Sequence, residues 1–246
     1  RMTDEMDAAP IAEKILRSLG QPYVCDGKEM HSSPSIGISI YPGDGQDGPV
    51  LMKNADTAMY HAKEFGRNNV QYFTAAMNAA ASERLELEND LHQALRSDQL
   101  YLLYQPQVHA RDGRISGIET LARWRHPKLG LLFPGSFMAL AEASEVIHPF
   151  TRAVMDLAMG DCARLRARGL KQSVALNLSA RNLVDDRCVN DIELLIAAHG
   201  LRYEDIELEI TETTIMHDPA QVAHLLDRLD RRGVGLAIDD FGTGYS

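Results

Sequence analysis

Five oxygen donors stand at the ends of apolar runs in this 246-residue chain: Glu119, Asn177, Glu209, Asp239 and Asp240. Asp239 and Asp240 close the run Val234–Ile238 and precede Phe241-Gly242-Thr243-Gly244. A buried strand thus hands two adjacent carboxylates to a glycine-rich turn. Neighbouring strand residues point to opposite faces, so one carboxylate faces inward and the other faces the loop. That arrangement suits two neighbouring cations. None of the five is a soft ligand, and carboxylates with an amide oxygen select Mg²⁺ or Mn²⁺ over zinc or copper. Taken singly, each has an ordinary role. Asp before Gly is turn chemistry, a strand Glu is solvated, and Asn177 is a hydrogen-bonded core amide. Their shared placement carries the metal reading. The nine histidines show no metal-ligand spacing and read as packing or solvated residues.

The elements that position these donors follow from periodicity. In Val174-Ala175-Leu176-Asn177-Leu178, large apolar residues take one face while Ala175 and Asn177 take the other. Ile206–Thr211 repeats the device with Glu209, and Val234–Asp239 repeats it with Gly235, Ala237 and Asp239. Leu100–Val108 and Ile115–Trp124 read as two strands joined by an Asp112-Gly113 turn, and Glu119, Leu121 and Arg123 share a face of the second. Helices are expected at Gly135–Ala143, Thr151–Arg168, Asp191–His199 and Pro219–Arg232. The last is bounded by an Asp218 cap, Pro219 at the first position, Gln221 at capping-box spacing and Gly233 at the end. Val222, Leu225, Leu226 and Leu229 form its buried stripe. Strand and helix alternate, which implies parallel βαβ units closing into a barrel or an open doubly wound sheet. Polar groups at the C-terminal ends of barrel strands read as active-site groups.

The front of the chain differs. Helices are expected at Ile11–Leu19 and Leu51–Phe65, with strands at Ser35–Tyr41 and Val70–Phe73 and Gly66 as a helix stop. Thr74–Ser97 is a long helix with Leu87, Leu91, Ala94 and Leu95 on one side. The expected organisation is an α+β segment over 1–73, a linker helix over 74–97, and the α/β segment over 98–246. A net charge of -10 argues against nucleic-acid binding through a basic surface. It also means that a phosphate ester would need cations to offset repulsion. Three widely spaced cysteines, Cys25, Cys162 and Cys188, form no disulfide or zinc pattern, which points to a reducing cytoplasm. No apolar run has the ~20 residues needed to cross a bilayer.

Two stretches carry a resemblance. Ser35-Ile36-Gly37-Ile38, Ala55-Asp56-Thr57-Ala58-Met59-Tyr60-His61-Ala62-Lys63 and Gly66-Arg67-Asn68 resemble the C-terminal part of a GGDEF domain, the diguanylate cyclase family. The signature of that family, with its metal and GTP sites, lies upstream of the matched part, so these residues by themselves are not expected to cyclise GTP. Tyr104-Gln105-Pro106-Gln107-Val108, Glu119-Thr120-Leu121-Ala122-Arg123-Trp124, Asn177-Leu178-Ser179, Glu209-Ile210-Thr211-Glu212 and Asp239-Asp240-Phe241-Gly242-Thr243-Gly244 resemble the EAL domain, the family of cyclic di-GMP phosphodiesterases.

That resemblance implies an incomplete TIM-like barrel of EAL type with an antiparallel first strand, preceded by the α+β GGDEF fragment. It implies two-metal hydrolysis of cyclic di-GMP to linear pGpG. Glu119, Asn177, Glu209 and Asp239 would bind one Mg²⁺ or Mn²⁺, and Asp239 and Asp240 would share in the second. Gln105, Leu121 and Arg123 would touch substrate. Glu212 joins Glu119, Asp239 and Asp240 in the catalytic set by holding the loop after the Asp239-Asp240 strand. The family also implies a homodimer through the EAL domain. The signature here reads Glu-Thr-Leu instead of Glu-Ala-Leu. Thr120 should point away from the Glu119 face and be tolerated. The family's lysine, a further glutamate and a late glutamine lie downstream of the Asp-Asp motif, so residues 1–246 alone are expected to be inactive and poorly folded. A non-catalytic cyclic di-GMP receptor is the competing reading. It is disfavoured because each ligand position within the chain is intact. A sugar-phosphate barrel enzyme is a distant third.

Overall fold

The computed structural model describes residues 8–25, 27–184, 186–217 and 219–239. The chain divides into two units, residues 1–86 and 87–246.

The first unit contains α1 (Ala8–Leu19), β1 (Tyr23–Cys25), β2 (Lys28–Met30), β3 (Ser35–Ile38), α2 (Gly48–Glu64) and β4 (Asn69–Tyr72), and α3 (Ala75–Ala94) begins there. β3 and β4 pair in parallel, and β1 and β2 form a short antiparallel hairpin. Asp47 caps α2 by accepting a hydrogen bond from the Val50 amide at 2.9 Å. Gly66 follows the helix with φ +90°, the left-handed stop expected from the sequence. A Cβ at Gly37 would lie 2.0 Å from the Ala55 carbonyl, so only glycine lets α2 settle on β3. α1 is a helix as expected, but only Ala12 is buried and Ile11, Ile15 and Leu19 face outward.

The second unit holds the end of α3 and then β5 (Leu100–Val108), β6 (Ile115–His126), β7 (Gly130–Leu132), α4 (Met138–Ala143), α5 (Ile147–Ala167), β8 (Ser173–Leu178), α6 (Asp186–Ala198), β9 (Ile206–Thr211), α7 (Glu212–His217), α8 (Pro219–Asp230) and β10 (Gly235–Asp239). The sheet order is β10-β9-β8-β6-β5, with β7 attached to β6. β6, β8, β9 and β10 run parallel, while β5 pairs antiparallel with β6. This is the barrel-type sheet with an antiparallel first strand that the sequence implied. α5 starts four residues earlier than periodicity suggested. Pro149 falls in its first turn, where the missing amide hydrogen costs nothing. α8 begins at Pro219, and its expected Asp218 cap lies outside the described residues, as does Asp240.

The outer face of the sheet makes the core. Val174, Leu176 and Leu178 of β8 and Ile206, Leu208 and Ile210 of β9 are buried against α5, α6 and α8. Val222, Leu225 and Leu229 of α8 are buried with them, and Leu226 packs at their margin. A second cluster joins Leu91 and Ala94 of α3 to Trp124, Phe137 and Phe150. Its rings meet edge to face, with Trp124 and Phe137 centroids 5.6 Å apart. β10 departs from the pattern. Leu236 and Ile238 on this edge strand are 37% and 52% exposed.

Candidate metal and phosphodiester site

Burying the large apolar residues on the helices turns the opposite sheet face inward. Gln105 pairs with Glu119, Glu119 with Ala175, Asn177 with Glu209, and Asp239 with Thr211. Paired residues share a face, as do alternate residues along a strand. Gln105, Glu119, Leu121, Arg123, Asn177, Glu209 and Asp239 therefore line one face, three of the donors near the C-terminal ends of parallel strands. Asn177 Nδ2 donates to Glu119 Oε1 at 3.2 Å, tying β8 to β6. Arg123 stacks on Phe133, its guanidinium carbon 4.8 Å from the ring centroid, and one of its terminal nitrogens donates to the Ala122 carbonyl. Gln105 is exposed and Leu121 half-buried. Glu212 opens α7 directly after β9, where a carboxylate suits the positive end of a helix.

Glu209 is the most constrained of the donors. It is buried, with 7% exposure. Burial raises its pKa above the ordinary carboxylate value. A hydrogen bond from Gln107 opposes the rise, while the charges of Glu119, Asp239 and Glu207 add to it. Gln107 Nε2 donates to Glu209 Oε1 at 2.7 Å. Glu209 Oε2 is buried and has no hydrogen-bond partner. A buried carboxylate oxygen without a partner is costly, and a hard cation beside it would remove that cost and quench the repulsion. The residues fit such a group in donor chemistry and electrostatics. Among the described residues, however, no three His, Cys, Asp or Glu side chains close around one point. The donors stand as two amide-linked pairs, Glu119 with Asn177 and Glu209 with Gln107, and Asp239 adds its charge from β10.

Two features escaped the sequence. Gln107 was visible only as part of the Tyr-Gln-Pro-Gln-Val stretch, and nothing local says that its amide reaches β9. Thr120 does more than fit. Its hydroxyl donates to the Ala175 carbonyl at 2.7 Å, in a buried position between β6 and β8.

Parallel strands with helices on the outer face and oxygen donors gathered on the inner one define a barrel-type α/β domain. The chain belongs to the EAL domain family, whose model matches residues 88–246. The family model described as "Diguanylate cyclase, GGDEF domain" matches residues 1–69. A bifunctional diguanylate cyclase/cyclic di-GMP phosphodiesterase, MucR of Pseudomonas aeruginosa, is 44% identical over 98% of the chain and 35% of its own length. The cyclic di-GMP phosphodiesterase NbdA of the same organism is 39% identical over 100% of the chain and 31% of its own length. The chain thus spans about a third of the length of these curated relatives. A solved structure of the MucR phosphodiesterase in complex with c-di-GMP superposes with a TM-score of 0.63. It is 40% identical and covers 65% of this chain and 66% of the solved one. Among the described residues no helix is long and apolar enough to cross a membrane.

Proposed function

We propose that the protein carrying this chain hydrolyses cyclic di-GMP to linear pGpG with Mg²⁺ or Mn²⁺ at a two-metal site. The single observation that carries the reading is Glu209. Its Oε2 is buried and without a partner on the inner sheet face, amid the charges of Glu119 and Asp239. The relatives named as cyclic di-GMP phosphodiesterases supply the substrate. Glu119, Asn177, Glu209 and Asp239 hold the first cation, and Asp239 with Asp240 helps hold the second. The bound cations supply charge neutralisation at the phosphodiester and activation of the attacking water. Asn177 fixes Glu119 through its amide. Arg123, stacked on Phe133, offers positive charge to the phosphodiester, and Gln105 and Leu121 meet the substrate from the same sheet face. Glu212, at the start of α7 directly after β9, joins the catalytic set as a positioning residue.

The proposed division is a GGDEF-type segment over 1–73, a linker helix over 74–97 and the EAL segment over 98–246. The family resemblance supports a homodimer through the EAL segment. Free Cys25, Cys162 and Cys188 support a cytoplasmic setting. The test is Glu119→Ala in the whole protein. Mg²⁺- or Mn²⁺-dependent hydrolysis should vanish while circular dichroism and thermal unfolding stay near the parent. Unchanged turnover would remove Glu119 from the site.

A further inference from the structure

The contact between Gln107 and Glu209 links two strands that are not neighbours in the sheet. Gln107 lies on β5 and Glu209 on β9, with β6 and β8 between them. Gln107 pairs with Gly117, two residues before Glu119 on the same face of β6. It therefore enters from the N-terminal side of the carboxylates. The β5–β6 register shifts immediately after Gln107. Such irregularities re-aim side chains beside functional sites.

The path of the side chain is kept open by a missing Cβ. A Cβ at Gly117 would lie 2.7 Å from Gln107 Oε1 and 3.3 Å from Ser173 Oγ. Any larger residue at 117 must push the Gln107 amide aside. Gly117 φ is not in the left-handed region, so the requirement is for space and not for backbone freedom. At the far end, the amide takes Glu209 Oε1 at 2.7 Å and leaves Oε2 buried without a partner. One oxygen is thereby fixed and the other is presented.

We propose that Gln107 is a positioning residue for the cation site, and that Gly117 exists to let it reach. The proposal rests on the metal reading of Glu209 given above. Gln107 touches neither substrate nor cation. It acts by holding the Glu209 carboxylate in one rotation with Oε2 toward the donor face. Partners behind a metal ligand typically contribute 10–100-fold in metal affinity.

The test is Mn²⁺ binding measured by calorimetry on the whole protein without substrate, alongside chemical unfolding. Gln107→Leu keeps the bulk and removes the donor. Gly117→Ala leaves the amide intact and displaces it. Each should weaken Mn²⁺ affinity by about 10–100-fold, with unfolding midpoints close to the parent. The double variant should lose no more than Gln107→Leu alone, since Gly117 acts only through Gln107. General structural damage would instead add. Parent-like affinity in both single variants, with Glu119→Ala still abolishing binding, would overturn the role of Gln107 and leave the metal reading standing. No Mn²⁺ binding by the unaltered protein would sink the metal reading and this proposal together.

Discussion

Thr120→Ala replaces the threonine between Glu119 and Leu121 with the residue that the EAL signature carries. Thr120 is 4% exposed, and its hydroxyl donates to the Ala175 carbonyl at 2.7 Å across the β6–β8 seam. Removing a satisfied buried hydrogen bond costs about 0.5–1.5 kcal/mol, and the lost methyl adds about 0.8 kcal/mol. The sum is roughly 2 kcal/mol, and the lower strand preference of alanine acts in the same direction. With a urea dependence of about 2 kcal/mol/M, the midpoint should fall by about 1 M. Trp124 is the single tryptophan and is fully buried in the second unit. Its fluorescence reports that unit's unfolding without signal from the first. Mn²⁺ affinity should not change, because Thr120 faces away from Glu119. An unchanged midpoint would refute the assigned hydrogen bond. A stable variant with altered Mn²⁺ affinity would refute the assignment of Thr120 to the outer face.

Glu209→Gln should separate folding from binding. The amide oxygen can still accept from Gln107, and the charge opposed by burial, Glu119, Asp239 and Glu207 is gone. The metal-free variant should unfold no earlier than the parent at neutral pH, yet lose Mn²⁺ binding in calorimetry. Tyr104 should govern part of the alkaline limb. Burial pushes its phenol up to about 12, and its hydroxyl donates to Asp161. The folded chain thus holds that proton more tightly than the unfolded one. The stability it contributes is full below the free phenol's ~10 and lost as pH rises through about 12. Tyr104→Phe should flatten stability against pH over that window. The parent-minus-variant phenolate titration should show a single late tyrosine.

Much of the second unit was legible because its strands are short and regular. Ile206–Thr211 matches its expected bounds, β8 lies one residue earlier at each end than the expected Val174–Ser179, and β10 starts one residue later than expected. Large apolar residues on one face and small or polar ones on the other give the inward direction before any contact is known. The register then follows, and it brings Asn177 beside Glu209. What periodicity could not reach were pieces too short to repeat, such as β7 and the β1–β2 hairpin, each strand three residues long. α7 was missed for a similar reason, since its six residues follow β9 without a break. Gln107 was hidden for a different one. Its partner is 102 positions away, and the contact depends on four strands, a register shift and the vacancy at Gly117. Local pattern carries no trace of that. Thr120 showed its orientation in the alternation but not its acceptor, which also lies on another strand.

The central claim is that the inner sheet face gathers cations at Glu119, Asn177, Glu209 and Asp239 for attack on a cyclic dinucleotide. The most direct measurement follows cyclic di-GMP by chromatography with the whole protein, in Mn²⁺ and again after chelation. Mn²⁺-dependent appearance of linear pGpG, abolished by chelation and by Glu209→Gln, is the predicted result. Tight cyclic di-GMP binding with no pGpG at any Mn²⁺ or Mg²⁺ concentration would contradict it and make the domain a receptor.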